Sequence, residues 1–151
     1  MRVELSATVP VAAPAERTWE LLCYTGRYAE WVEDTTEVTR TDGPARLGST
    51  YDEVNPILGP WKGRSHWEVI EFDPPRRQVH RDEKLVTFKW LEVVWALTPA
   101  GDGCEFSNVL RGETAMGPLG PLTWRALESS LQKSHRKSSE NFAEIVRREA
   151  R

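Results

Sequence analysis

The chain has 151 residues, 39% of them apolar, with 23 acidic against 20 basic side chains and seven tryptophans, and a single domain of this length can bury a core without disulfides or a metal. A net charge of -3 leaves no electrostatic footprint for a phosphate backbone, so nucleic acid is not an expected partner. No apolar run approaches the ~20 residues of a membrane span, and the opening MRVELSATVP lacks the pattern of a secretory signal, so the expected location is cytoplasmic.

In chain order, Arg2 to Val9 alternates Val3, Leu5, Ala7 and Val9 with polar residues, the period of a strand with one wet face. Pro14-Ala15-Glu16-Arg17 opens a helix, because proline is tolerated in a first turn and Glu16 suits its positive end. A second short helix is predicted around Arg27 to Trp31. Six strands follow: Thr36 to Thr41, Leu47 to Val54, Gly63 to Phe72, Gln78 to Asp82, Val86 to Thr98 and Cys104 to Glu113. A loop is expected over Asn55 to Trp61. Short turns such as Asp73-Pro74-Pro75 and Gly101-Asp102-Gly103 join antiparallel neighbours. The last segment, Leu122 to about Glu149, carries Leu127, Leu131, Phe142, Ile145 and Val146 on one helical face and would run roughly 40 Å. The predicted class is α+β: a seven-stranded antiparallel sheet curled around a long C-terminal helix, with two short helices between strands one and two.

Charged residues mark the outer face of each strand, which turns the residues between them inward. The inward sets are Ser49, Tyr51 and Glu53; Gly63, Ser65, Trp67 and Val69; Leu91, Val93, Trp95 and Leu97; and Cys104, Phe106, Asn108 and Leu110. On the helix, the register that begins with Leu127 and Leu131 reaches Ser134 and Ser138 before Phe142, so small hydroxyls stand where leucine is expected. Either a wide aromatic such as Trp67 or Trp95 fills that space, or it is a pocket; apolar walls with a few convergent polar groups favour the pocket. Tyr51, Ser65, Trp67, Val69, Leu91, Val93, Trp95, Phe106, Asn108, Leu110, Leu127, Leu131, Ser134 and Ser138 are its expected lining. Met116, in the strand-to-helix loop, is placed at its mouth.

Two residues are candidates for acid-base work. An inward Glu53 beside an apolar wall would have its pKa raised by desolvation, although a strand end could instead turn it to solvent. His135 follows Ser134 on the long helix and either edges the cavity or stands on a solvated flank; as a base it would need an orienting partner. His66 and His80 are expected on the outer face of neighbouring strands, too few to hold a metal. Cys23 and Cys104 sit in no CxxC pair and read as buried reduced thiols. No cofactor is expected, and the chain reads as a monomer or homodimer.

Several phrases, VPVAAPAERTWELLCYTGRYAEWVEDTTEV after the first strand, LGSTY, WEVIEFDPPRRQV and the closing LESSLQKSHRKSSENFAEIV, resemble the START-like or SRPBCC superfamily, which includes the birch pollen allergen fold and the polyketide cyclase/dehydrase group. The resemblance covers nearly the whole chain. It implies a helix-grip fold whose cavity takes a small hydrophobic lipid-, quinone- or polyketide-like molecule, or else a polyketide cyclase/dehydrase. Related cyclases carry a pocket arginine near the end of the fourth strand, where this chain reads Val69-Ile70-Glu71-Phe72.

Overall fold

The structure, a computed structural model, describes residues 1–150. Seven antiparallel strands form one sheet: β1 (Arg2–Val11), β2 (Glu37–Thr41), β3 (Thr50–Leu58), β4 (Trp61–Asp73), β5 (Arg77–Asp82), β6 (Phe88–Ala100) and β7 (Gly103–Thr114), in the spatial order β1-β7-β6-β5-β4-β3-β2. Helix α1 (Ala15–Leu22) and a 3-10 turn (Thr25–Glu30) connect β1 to β2, and helix α2 (Gly120–Glu149) crosses the concave face. None of the described helices is long and apolar enough to span a membrane.

The alternation in β1 is realised from end to end: Val3, Leu5, Ala7, Val9 and Val11 are buried and their neighbours exposed. Three boundaries differ from the sequence reading. The predicted helix over Arg27 to Trp31 is the 3-10 turn, two residues earlier. Residues 55–58 extend β3, and the only turn is the pair Gly59-Pro60, with Gly59 at φ 56°. Pro56 is tolerated there because β2 pairs with β3 only as far as Val54, so Pro56 lies on an edge and at a register shift, where a missing N–H costs little. Helix α2 begins at Gly120 with proline in its first turn; a Cβ on Gly120 would lie 2.9 Å from Thr114 Oγ1, so a larger residue would have to displace that side chain where the strand turns back into the helix.

The two ends of the grip differ. Strand directions put the β4–β5 and β6–β7 turns at one end together with α1, the 3-10 turn and the C-terminus of α2, which is tied there by Arg27 Nη2 to Glu149 Oε2 at 2.5 Å. The β3–β4 and β5–β6 turns, the β7–α2 loop and the N-terminus of α2 lie at the other. Only the first end is filled. Phe142, Ile145 and Val146 of α2 are buried, whereas Leu131 is half-buried and Leu127 is 49% exposed. The inward stripe that begins with Leu127 is therefore sealed only over its C-terminal half: periodicity gives the phase of a helical stripe but not whether a second surface lies opposite it.

Candidate functional site

At the filled end an aromatic cluster occupies the hollow. Trp31 lies with its ring centroid 5.2 Å from Trp95 and 4.9 Å from Phe142; Phe106 is 4.9 Å from Phe142, and Tyr28 is 5.2 Å from both Tyr51 and Trp95. Val69 is buried in the same core. The small residues of α2 are small because the chain after Trp31 presses on them. Ser138 Oγ accepts the Glu33 N–H at 2.8 Å, Ser134 Oγ donates to Asp34 Oδ1 at 3.3 Å, and Asn141 Nδ2 donates to the Trp31 carbonyl at 3.2 Å. The pocket expected beneath Ser134 and Ser138 is thus occupied by residues 31–35 of the chain itself, because helical spacing could not show which loop would fill it.

Two buried polar chains hold this packing. Tyr51 Oη donates to His80 Nδ1 at 2.5 Å, His80 Nε2 donates to Gln78 Oε1 at 2.7 Å, and Gln78 Nε2 lies 3.9 Å from Cys23 Sγ. In this sequence of bonds His80 is the neutral Nε2–H tautomer, and burial pushes its pKa down to about 3. His80 is completely buried on the concave face, which corrects its expected outer position. Arg77 and Arg81 point outward, and that parity turns Gln78, His80 and Asp82 inward. It was the signal that would have found them. In the second chain, Trp95 Nε1 donates to Asn108 Oδ1 at 3.0 Å, and Asn108 Nδ2 donates to Ser139 Oγ at 3.1 Å. Both ends of the Asn108 amide are thus satisfied within the protein. His135 Nε2 donates to the Asn108 carbonyl at 2.7 Å, which fixes the ring and leaves the lone pair on Nδ1; burial lowers its pKa.

The other half of the concave face is open. Val93 and Leu110 are opposite one another in the middle of β6 and β7, in the same inner row as Leu5 and His80, yet both are only half-buried. Residues there in a filled core would be sealed; their exposure defines a cleft that reaches the sheet. Leu131 and His135 border it from α2, and Leu91 continues its floor. On β3 and β4 stand Glu53, Ser65 and Trp67, all buried. Glu53 Oε2 accepts from Thr35 Oγ1 at 3.2 Å and from Asn55 Nδ2 at 3.4 Å, with Ser65 Oγ a further 3.4 Å away. Ser65 gives its proton to Asn55 Oδ1 at 2.7 Å and accepts the Trp67 Nε1–H at 3.0 Å. These long bonds compensate poorly for desolvation, so burial raises the Glu53 carboxyl to about 7. It is 5% exposed, and the alternative of a strand end turning it to solvent does not hold. Met116 is exposed at the loop bounding this open end.

On the convex face, Glu92 is nearly buried between Arg81 and Arg111, 2.8 Å from each, beside a groove of about 530 Å³ lined by Arg2, Trp90 and Gly112 among others. That groove has charged walls and lies on the opposite side of the sheet from the cleft. His66 pairs with Asp52 on this outer face. Among the described residues no three His, Cys, Asp or Glu side chains gather in a group that could hold a metal ion.

The sequence model of a family described as polyketide cyclase / dehydrase and lipid transport matches residues 2–147. The crystal structure of the Zhui aromatase/cyclase from Streptomyces sp. R1128 is similar, with 16% sequence identity, a TM-score of 0.82 and coverage of 100% of this chain and 97% of that one. TTHA0849 from Thermus thermophilus is 19% identical over 95% of this chain and 97% of its own, with a TM-score of 0.79. Ara h 8.0201 is 9% identical, covers 97% and 98%, and has a TM-score of 0.67. At these identities the likeness is one of fold, the helix grip. No curated protein sequence matches the chain. The inward positions of β4 are Ser65, Trp67 and Val69, so this strand turns no arginine to the concave face.

Proposed function

The chain belongs to the polyketide cyclase / dehydrase and lipid transport family, and from that premise we propose that it binds a small hydrophobic molecule in the open half of the grip. The observation that carries this reading is the half-burial of Val93 and Leu110, which face inward at the centre of the sheet. Apolar floor area supplies affinity, and the Glu53, Ser65 and Asn55 cluster supplies orientation. A protonated Glu53 donates to a ligand carbonyl; an ionised one accepts from an enolic or phenolic hydroxyl. Leu91, Leu131 and Trp67 complete the apolar contact, while Tyr51, Val69, Trp95, Phe106, Asn108, Ser134 and Ser138 support the cleft from the packed side. Displacement of an apolar fluorescent dye tests the proposal. Val93→Trp, which fills the cleft floor, is expected to weaken dye binding at least tenfold with unchanged secondary structure. Equal binding by the wild type and Val93→Trp would refute it.

The second reading is a polyketide cyclase or dehydrase, favoured by one observation: a buried carboxyl with a pKa near 7 can both give and take a proton at neutral pH. In this reading Glu53 removes the proton from an enolisable carbon of a poly-keto chain held in the cleft, and the His135 Nδ1 lone pair is the second candidate base. Glu53→Gln and His135→Ala are then expected to abolish product formation while retaining ligand binding. Full turnover in both variants excludes it.

A further inference from the structure

The open end of the grip carries an unusual surface. The β3–β4 hairpin presents Ile57 and Trp61, the latter 69% exposed; the β5–β6 turn presents Val86, 93% exposed; and the β7–α2 junction presents Leu119 and Leu122. Strand directions bring these three protrusions to the same end, around the mouth of the cleft. Soluble domains seldom expose several large apolar side chains on adjacent tips.

Cations are interleaved with them. Lys62 follows Trp61, Lys84 precedes Val86, and Arg125 stands on the next turn of α2 after Leu122; all three are exposed, and none has an ion-pair partner among the described residues. Of the acids at this end, Glu83 pairs with Arg81 and Glu113 with Lys89, while Glu128 on α2 and Asp34 and Glu37 beside the start of β2 are exposed carboxylates without an ion pair, set back from the three tips. From this juxtaposition we infer that the open end docks on an anionic lipid bilayer, with the apolar tips inserted at the headgroup level and Lys62, Lys84 and Arg125 at the lipid phosphates. Separate convex tips offer poor shape complementarity to a protein partner, but insertion into a fluid interface requires only apolar reach and positive charge around it. Tryptophan is suited to that interface, having an apolar body and a polar N–H. This docking is independent of which molecule occupies the cleft.

Co-sedimentation with phosphatidylcholine vesicles containing 30% phosphatidylglycerol, against pure phosphatidylcholine, tests the inference. Binding to the anionic vesicles is expected, weakened at high salt, and accompanied by a blue shift of tryptophan emission. The double variant Trp61→Ser/Leu122→Ser should lose at least tenfold in vesicle affinity, and Lys62→Glu/Lys84→Glu should do the same. Because these side chains are exposed, Tm and dye binding in the cleft should not change. Tyr24→Ser, an exposed aromatic at the filled end, should bind vesicles as the wild type does. No partition into anionic vesicles, equal partition of wild type and double variants, or equal loss in Tyr24→Ser would overturn it. So would concentration-dependent self-association abolished by Trp61→Ser, which would assign the tips to a second copy of the chain.

Discussion

The Tyr51 hydroxyl donates to Nδ1 of a completely buried His80 at 2.5 Å, joining β3 to β5 across the strand between them. Tyr51→Phe leaves that nitrogen without a donor in a dry interior and is expected to cost about 1–3 kcal/mol. His80→Ala adds a cavity and should cost about 3 kcal/mol. In a urea-unfolding cycle the double variant should cost less than the two added together, since both remove one bond; strict additivity would show the contact to be energetically idle.

Glu53 and His80 give opposite dependences of stability on pH. His80 has a folded pKa of about 3 against 6.5, so its contribution is complete above 6.5 and is lost as pH falls towards 3. Glu53 has a folded pKa of about 7 against 4.5, so its contribution is complete below 4.5 and is lost as pH rises to 7. Between 4.5 and 6.5 the two slopes offset each other. Glu53→Gln should therefore acquire a stability that rises with pH over this window by about 1 kcal/mol per unit, where the wild type is nearly flat. Chemical denaturation at half-unit pH steps checks this, and parallel curves for both proteins would contradict the burial of Glu53.

Trp31 is the plug of the filled end. Trp31→Ala should destabilise by about 3–5 kcal/mol and leave an apolar void against Trp95 and Phe142 that added indole refills, raising Tm. A variant whose Tm ignores indole would mean that the surrounding rings have collapsed into the space.

Cys23 and Cys104 are buried free thiols, with burial pushing Cys23 up to about 11. Alkylation at pH 8 should be slow at both and should follow global unfolding. Rapid labelling of native protein would show that the region around α1 opens locally.

The antiparallel meander from β2 to β7, the concave and convex faces of β1, β4, β6 and β7, and the inward placing of Trp67, Trp95 and Asn108 were legible in the sequence, because a period of two acts locally; the pairing of β1 with β7 and the sealing of Glu53 were not. The same local rules, applied to Arg77 and Arg81, place His80 correctly. Three further features came only from the tertiary structure: that residues 31–35 fill the hollow beneath Ser134 and Ser138, that Leu127 is left half-exposed at the end of its stripe, and that the inner face stays uncovered over Val93 and Leu110. Each depends on which distant segment arrives opposite a given face. That is decided by the length and direction of the connections, and no periodicity within a helix or strand encodes it.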